Sequence, residues 1–99
     1  MQSQIIHLIR YAKSKGCTIS VHDGEEWDVK RSENEREILE AINAVEECQI
    51  IIHNPSGEKA AWALVIPSLD ADEQVADYSS KDGKWMDHWA VNYEKGLKA

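Results

Sequence analysis

The sequence predicts a single α+β domain in the order α-β-β-α-β-β-α, with helices packed on one face of an antiparallel four- or five-stranded sheet. Three observations carry this expectation. The 99 residues suffice for one hydrophobic core and not for two. Three stretches place their apolar residues at a helical period, and the stretches between them show a strand period or short β-branched runs. Each pair of strand-like stretches is joined by a tight-turn signal and not by a crossover, which makes the pairs antiparallel.

Residues 3–15 read as the first helix, because Ile5, Ile6, Leu8, Ile9 and Ala12 share one arc at about 100° per residue. Gly16 ends it as a left-handed cap. Cys17, Ile19 and Val21 then alternate with Thr18, Ser20 and His22, the period of a half-buried strand. Asp23-Gly24 is a hairpin turn signal, and Trp27 and Val29 are expected on the inward face of the return strand, so residues 17–30 form a hairpin. Ser32-Glu33-Asn34-Glu35 has the residues of a capping box. The helix it starts runs to about Glu46, with Ile38, Leu39, Ala41, Ile42 and Val45 on one side and Glu33, Glu37, Glu40 and Glu47 on the other.

Residues 49–53 and 59–66 are rich in β-branched and large apolar side chains, and Asn54-Pro55-Ser56-Gly57 between them has type I turn preferences. They form a second hairpin, closed by Pro67, which cannot donate to a sheet ladder. Residues 68–82 are polar around Val75, Ala76 and Tyr78, and read as an edge strand or a docked loop. The third helix spans Lys84 to about Lys95. Trp85, Met86, Trp89, Ala90, Tyr93 and Leu97 lie along one side of it, opposite Asp87, Glu94 and Lys95.

Charge narrows the function. The chain carries 18 acidic and 11 basic residues, for a net charge of −7. Arg10, Lys13 and Lys15 make residues 1–22 basic, whereas residues 23–47 hold ten acids against Lys30, Arg31 and Arg36. Cations so few and scattered argue against direct binding of nucleic acid, whose phosphates require clustered Lys and Arg. The longest apolar run, Ala60 to Ile66, is far short of the roughly 20 residues that span a bilayer. The first residues lack the pattern of a signal peptide, so the chain is expected in the cytoplasm, with Cys17 and Cys48 reduced and buried.

Signatures of chemistry are missing. His7, His22, His53 and His88 match no zinc-ligand spacing, and no G-x-S-x-G elbow, Walker A loop or G-x-G-x-x-G is present. No catalytic residue, metal or cofactor is expected. Asp23, Glu25, Glu26 and Asp28 crowd one turn beside Trp27, the residue type of a carboxylate-based hydrolase, but such an enzyme needs its acids in a cleft. With Glu33, Glu37, Glu40 and Glu47 they make a candidate acidic interaction surface, suited to a basic protein partner or to imitation of DNA as an inhibitor of a nucleic-acid-binding enzyme. Trp85, Trp89 and Tyr93 are a candidate aromatic interface for a homodimer or another partner, although four tryptophans in a chain without phenylalanine also suit its core.

The strings DGEEWDVKRS (23–32), GEKAAWALVIP (57–67), DEQVADYS (72–79) and WMDHW (85–89) resemble a group of small proteins encoded by bacteriophages and prophages. That resemblance implies no particular activity. It implies a setting, the cytoplasm of an infected bacterium, and with it an acidic accessory protein that acts by protein–protein interaction.

Overall fold

The computed structural model describes residues 3–71, 73–80 and 84–98, with side chains through Lys95. Three helices and five strands follow in the order α1 (Gln4–Ser14), β1 (Thr18–His22), β2 (Trp27–Ser32), α2 (Glu35–Asn43), β3 (Cys48–His53), β4 (Lys59–Val65), β5 (Val75–Ser80) and α3 (Trp85–Lys98). The strands form one antiparallel sheet ordered β2-β1-β3-β4-β5. The α+β class holds, with the fifth strand supplied by the segment around Val75 and Tyr78. Residues 81–82, the end of that predicted segment, and the Leu97 side chain lie outside the described residues.

Local chemistry accounts for the helix ends. The Ser3 hydroxyl accepts the Ile6 N–H at the start of α1. At its end Gly16 takes φ 75°, its N–H bonds the Lys13 carbonyl, and the Cys17 N–H bonds that of Ala12, the double closure that glycine permits. The capping-box expectation for α2 needs correcting. Asn34, not Ser32, is the N-cap: its side chain accepts the Glu37 N–H at 3.0 Å, while the Ser32 hydroxyl accepts the Asn34 N–H. Asn and Ser cap equally well, and the path of the chain out of β2 decides between them.

Strand alternation divides the sheet into two faces. Ile19, Val21, Ile50, Ile52, Ala61, Ala63 and Val65 point to one side and meet Leu8, Ile9 and Ala12 of α1, Ile38 and Ile42 of α2, and Met86 and Trp89 of α3 in one core. Each fully buried Ile or Leu contributes about 1.5–3 kcal/mol. Helix α2 packs on β2 and β1, and α3 on β4 and β5, where the small Ala61 and Ala63 leave depth for large side chains. All three helices lie on this face.

Trp27 departs from expectation. Val21 pairs with Val29, but the next residue, His22, pairs with Trp27, so Asp28 is an extra residue in β2. The bulge turns Trp27 away from Val29's side and out of the core, where it is 45% exposed and stands edge-on to His22. A second irregularity puts Arg31 at φ 48°. Its N–H bonds the hydroxyl of Ser20, a buried polar residue, and so does not go unsatisfied.

Candidate functional site

The acidic turn is built by its own backbone. Asp23 Oδ1 accepts the N–H groups of Glu25 (2.8 Å) and Glu26 (2.9 Å), and the Asp23 N–H bonds the Glu26 carbonyl at 3.1 Å. This closes a four-residue turn between His22 and Trp27. The backbone donors of Glu26 and Glu25 hold the Asp23 carboxyl below its ordinary pKa. Asp28 moves the other way, through partial loss of water around it and then the negative charge of Asp23. One carboxylate oxygen each from Asp23, Glu26 and Asp28 lies within 4.8 Å of the others. The trio offers hard oxygen ligands on an exposed turn, where water would complete the shell of any cation.

The remaining predicted acids divide between two neighbouring places. Glu37 and Glu40 are exposed along α2 and Glu33 just before its Asn34 cap, and α2 lies over β2 and β1 on the helix-covered face of the sheet. Arg36 pairs with Glu40 at 3.1 Å, and Arg10 of α1 with Glu35 at 2.6 Å, which offsets part of this face. Glu47 is exposed in the connection from α2 to β3. With Glu46 it borders a cleft of about 740 Å³ whose apolar lining is Ala44, Val45, Ile66 and Pro67. This cleft adjoins the acidic turn, since β3 begins where β1 ends, and the charges of Asp28 and Asp23 reach Cys48. Burial and those charges push the Cys48 thiol up to about 12. Sequence reasoning missed Glu46 and the apolar lining, because Ile66 and Pro67 reach α2 only through the β3–β4 pairing.

The aromatic residues are used differently. Trp89 (2% exposed) and Tyr93 are buried within the chain, stacked on one another with centroids 5.8 Å apart, and Trp85 is half-buried edge-on to Tyr11. As an interface for a second copy this stripe is therefore withdrawn into the core, where no phenylalanine competes for the space. A smaller cavity of about 300 Å³ remains between β5 and α3, lined by Tyr78, Trp89, Tyr93 and Glu94 among others. His7, expected on a polar helix face, accepts the Trp89 Nε1–H at 3.1 Å and meets Tyr93 edge-on.

His53 and Ser20 form a pair that spacing alone does not reveal, with Nε2 and the hydroxyl 3.2 Å apart. The geometry resembles a base and its nucleophile, but Ser20 is 3% exposed and is bonded by Arg31 N–H, so it is sheltered from any substrate. His53 Nδ1 has no hydrogen bond of good geometry, though the nearby Gly57 backbone favours the protonated ring; burial, then the charges of Arg31 and Lys59, outweigh it and lower the pKa. Cys17 and Cys48 are both free and buried. No helix among the described residues is long and apolar enough to cross a membrane. No protein-family model, curated protein or solved structure matches the chain.

Proposed function

We propose that the protein works without chemistry of its own, by binding a basic protein surface at the end of the sheet where the β1–β2 turn meets the α2–β3 connection. One observation carries this reading. Asp23, Glu26 and Asp28 converge there beside a cleft that combines an apolar lining with Glu46 and Glu47. A Lys or Arg side chain suits such a place, its alkyl stem against Val45, Ile66 and Pro67 and its charge among the acids. The C-terminal end of α2 adds the negative end of its helix dipole. The described clefts at the α2–β4 and β5–α3 seams are lined by residues other than Asp23, Glu26 and Asp28, so neither supplies those acids with the pocket that a carboxylate hydrolase requires. The phage resemblance supplies the setting, a host or phage protein met in the bacterial cytoplasm.

Imitation of DNA is the second reading, favoured by the packing of the acidic helix α2 on the two strands that the acidic turn joins. Both readings are tested by affinity purification from bacterial lysate at physiological salt. The bait is the wild-type chain, compared with a variant carrying Asp23→Asn, Glu26→Gln, Asp28→Asn, Glu46→Gln and Glu47→Gln. A protein retained by wild type, released by salt and lost by the variant is the expected result. Displacement of that protein by duplex DNA selects the mimic. Identical retention by both baits overturns the acidic surface as the binding site.

A further inference from the structure

The helices cover one face of the sheet and leave the other open. Pairing registers align the open-face residues in two rows across the strands. Ser20, Ile51, Trp62 and Ser79 form one; Trp27, His22, Gln49, Leu64 and Asp77 form the next. Ile51, Trp62 and Leu64 are half-buried at its centre, and the Trp62 Nε1–H bonds Gln49 Oε1 at 3.2 Å within the face. An apolar centre with a polar surround is the anatomy of an interface and not of a solvated sheet, whose outward positions are polar.

We propose that this open face is the interface of a two-fold homodimer, in which two copies stack sheet on sheet with their strands antiparallel. Charge selects a second copy as the occupant. At one end of the strands stand the cations Arg31 and Lys59, whose charges both reach His53 and lower its pKa, with an acid, Glu58, beside Lys59. At the other end stand Asp77 and the turn that carries Asp23, Glu26 and Asp28. The face is thus basic at one end, apolar in the middle and acidic at the other. A two-fold axis through Ile51 and Trp62 sets the acidic end of each copy over the basic end of its mate, the self-complementarity that an isologous contact demands. A parallel arrangement would oppose like charges.

Five strands at about 4.8 Å spacing and about 20 Å in length give a footprint of about 480 Å² per copy. Two such footprints come to about 960 Å², at the floor of roughly 1,000 Å² for a specific interface and below the usual range of about 1,200–2,000 Å², and the corrugated surface of side chains exceeds its footprint. The inference draws on Asp23, Glu26 and Asp28, which the proposed binding surface also uses, but not on Glu46, Glu47 or the cleft they border.

Sedimentation equilibrium of the intact chain, from about 1 μM to about 1 mM, tests it. The weight-average mass should rise from 11.2 kDa toward twice that value. Trp62→Ser should weaken association by at least about thirtyfold, the loss expected when a central tryptophan anchor is removed. Circular dichroism confirms that the variant is folded, and Leu64→Lys provides a second lesion of the same centre. Asp77→Lys and Lys59→Glu should each weaken the dimer, and the two together should restore it. A wild-type mass that stays at 11.2 kDa at the highest concentration overturns the proposal, as does a dimer indifferent to both Trp62→Ser and Leu64→Lys.

Discussion

Histidine 7 shows how far a single side chain can depart from its helical-wheel position. The wheel sets it on the polar side of α1, yet α3 passes alongside and gives its Nδ1 a donor, Trp89 Nε1–H. Accepting that bond requires an unprotonated Nδ1. Burial therefore lowers the His7 pKa below the usual 6.5, partly offset by the Asn92 side chain. As pH falls, the unfolded chain binds its proton first, so the stabilisation is complete above about 6.5 and is lost as pH drops through the lowered native value. His53 shifts in the same direction and adds to the effect. The urea midpoint should fall between about pH 7.5 and about pH 5.5, and His7→Gln should make that fall shallower while lowering the midpoint at the upper pH. Denaturation series at fixed pH values check this.

Strand β2 is the element in which pattern and structure part company. Period-two alternation places Trp27 and Val29 on one face, and it would hold if every residue paired in turn. Asp28 is the extra residue that breaks the count, and nothing in its identity announces a bulge; Arg31 occupies a left-handed conformation that a glycine would have advertised. In α3, by contrast, the four-residue spacing of Trp85, Trp89 and Tyr93 survives intact, because a helix carries its own register. The two tryptophans should respond accordingly. Trp89→Ala should cost about 3–5 kcal/mol of unfolding free energy through the cavity it leaves, whereas Trp27→Ser, on the exposed side of the bulge, should stay within about 0.5 kcal/mol. Equilibrium unfolding in urea distinguishes them directly.

At the scale of the molecule the dominant fact is the placement of charge. The ten acids of residues 23–47 stand on the β1–β2 strands and turn, on and beside α2, and in the α2–β3 connection, and among the described ion pairs only Glu35 and Glu40 of them meet arginine. Self-repulsion among these acids opposes folding and is screened by salt over a Debye length of about 10 Å at 0.1 M. Raising sodium chloride from about 10 mM to about 150 mM should therefore raise the melting temperature by a few degrees, at concentrations low enough to keep the chain monomeric. Differential scanning fluorimetry at several salt concentrations reads this.

The α+β class, the three helices, both hairpins and the acidity of the turn and of α2 were legible in the residues themselves. Each depends on contacts within about ten positions: a helical or strand period, a glycine after a helix, an Asp-Gly or Asn-Pro-Ser-Gly turn. Only the tertiary structure decided which face of the sheet would stay open, that Asn34 rather than Ser32 caps α2, that Trp27 turns out of the core while His7 packs against Trp89 of α3, and that Glu46 and Glu47 border an apolar cleft with Ile66 and Pro67. Those outcomes follow from strand register and from which helix lies over which strands. Such long-range pairings are chosen by the total burial they achieve, and no local stretch of sequence encodes that sum.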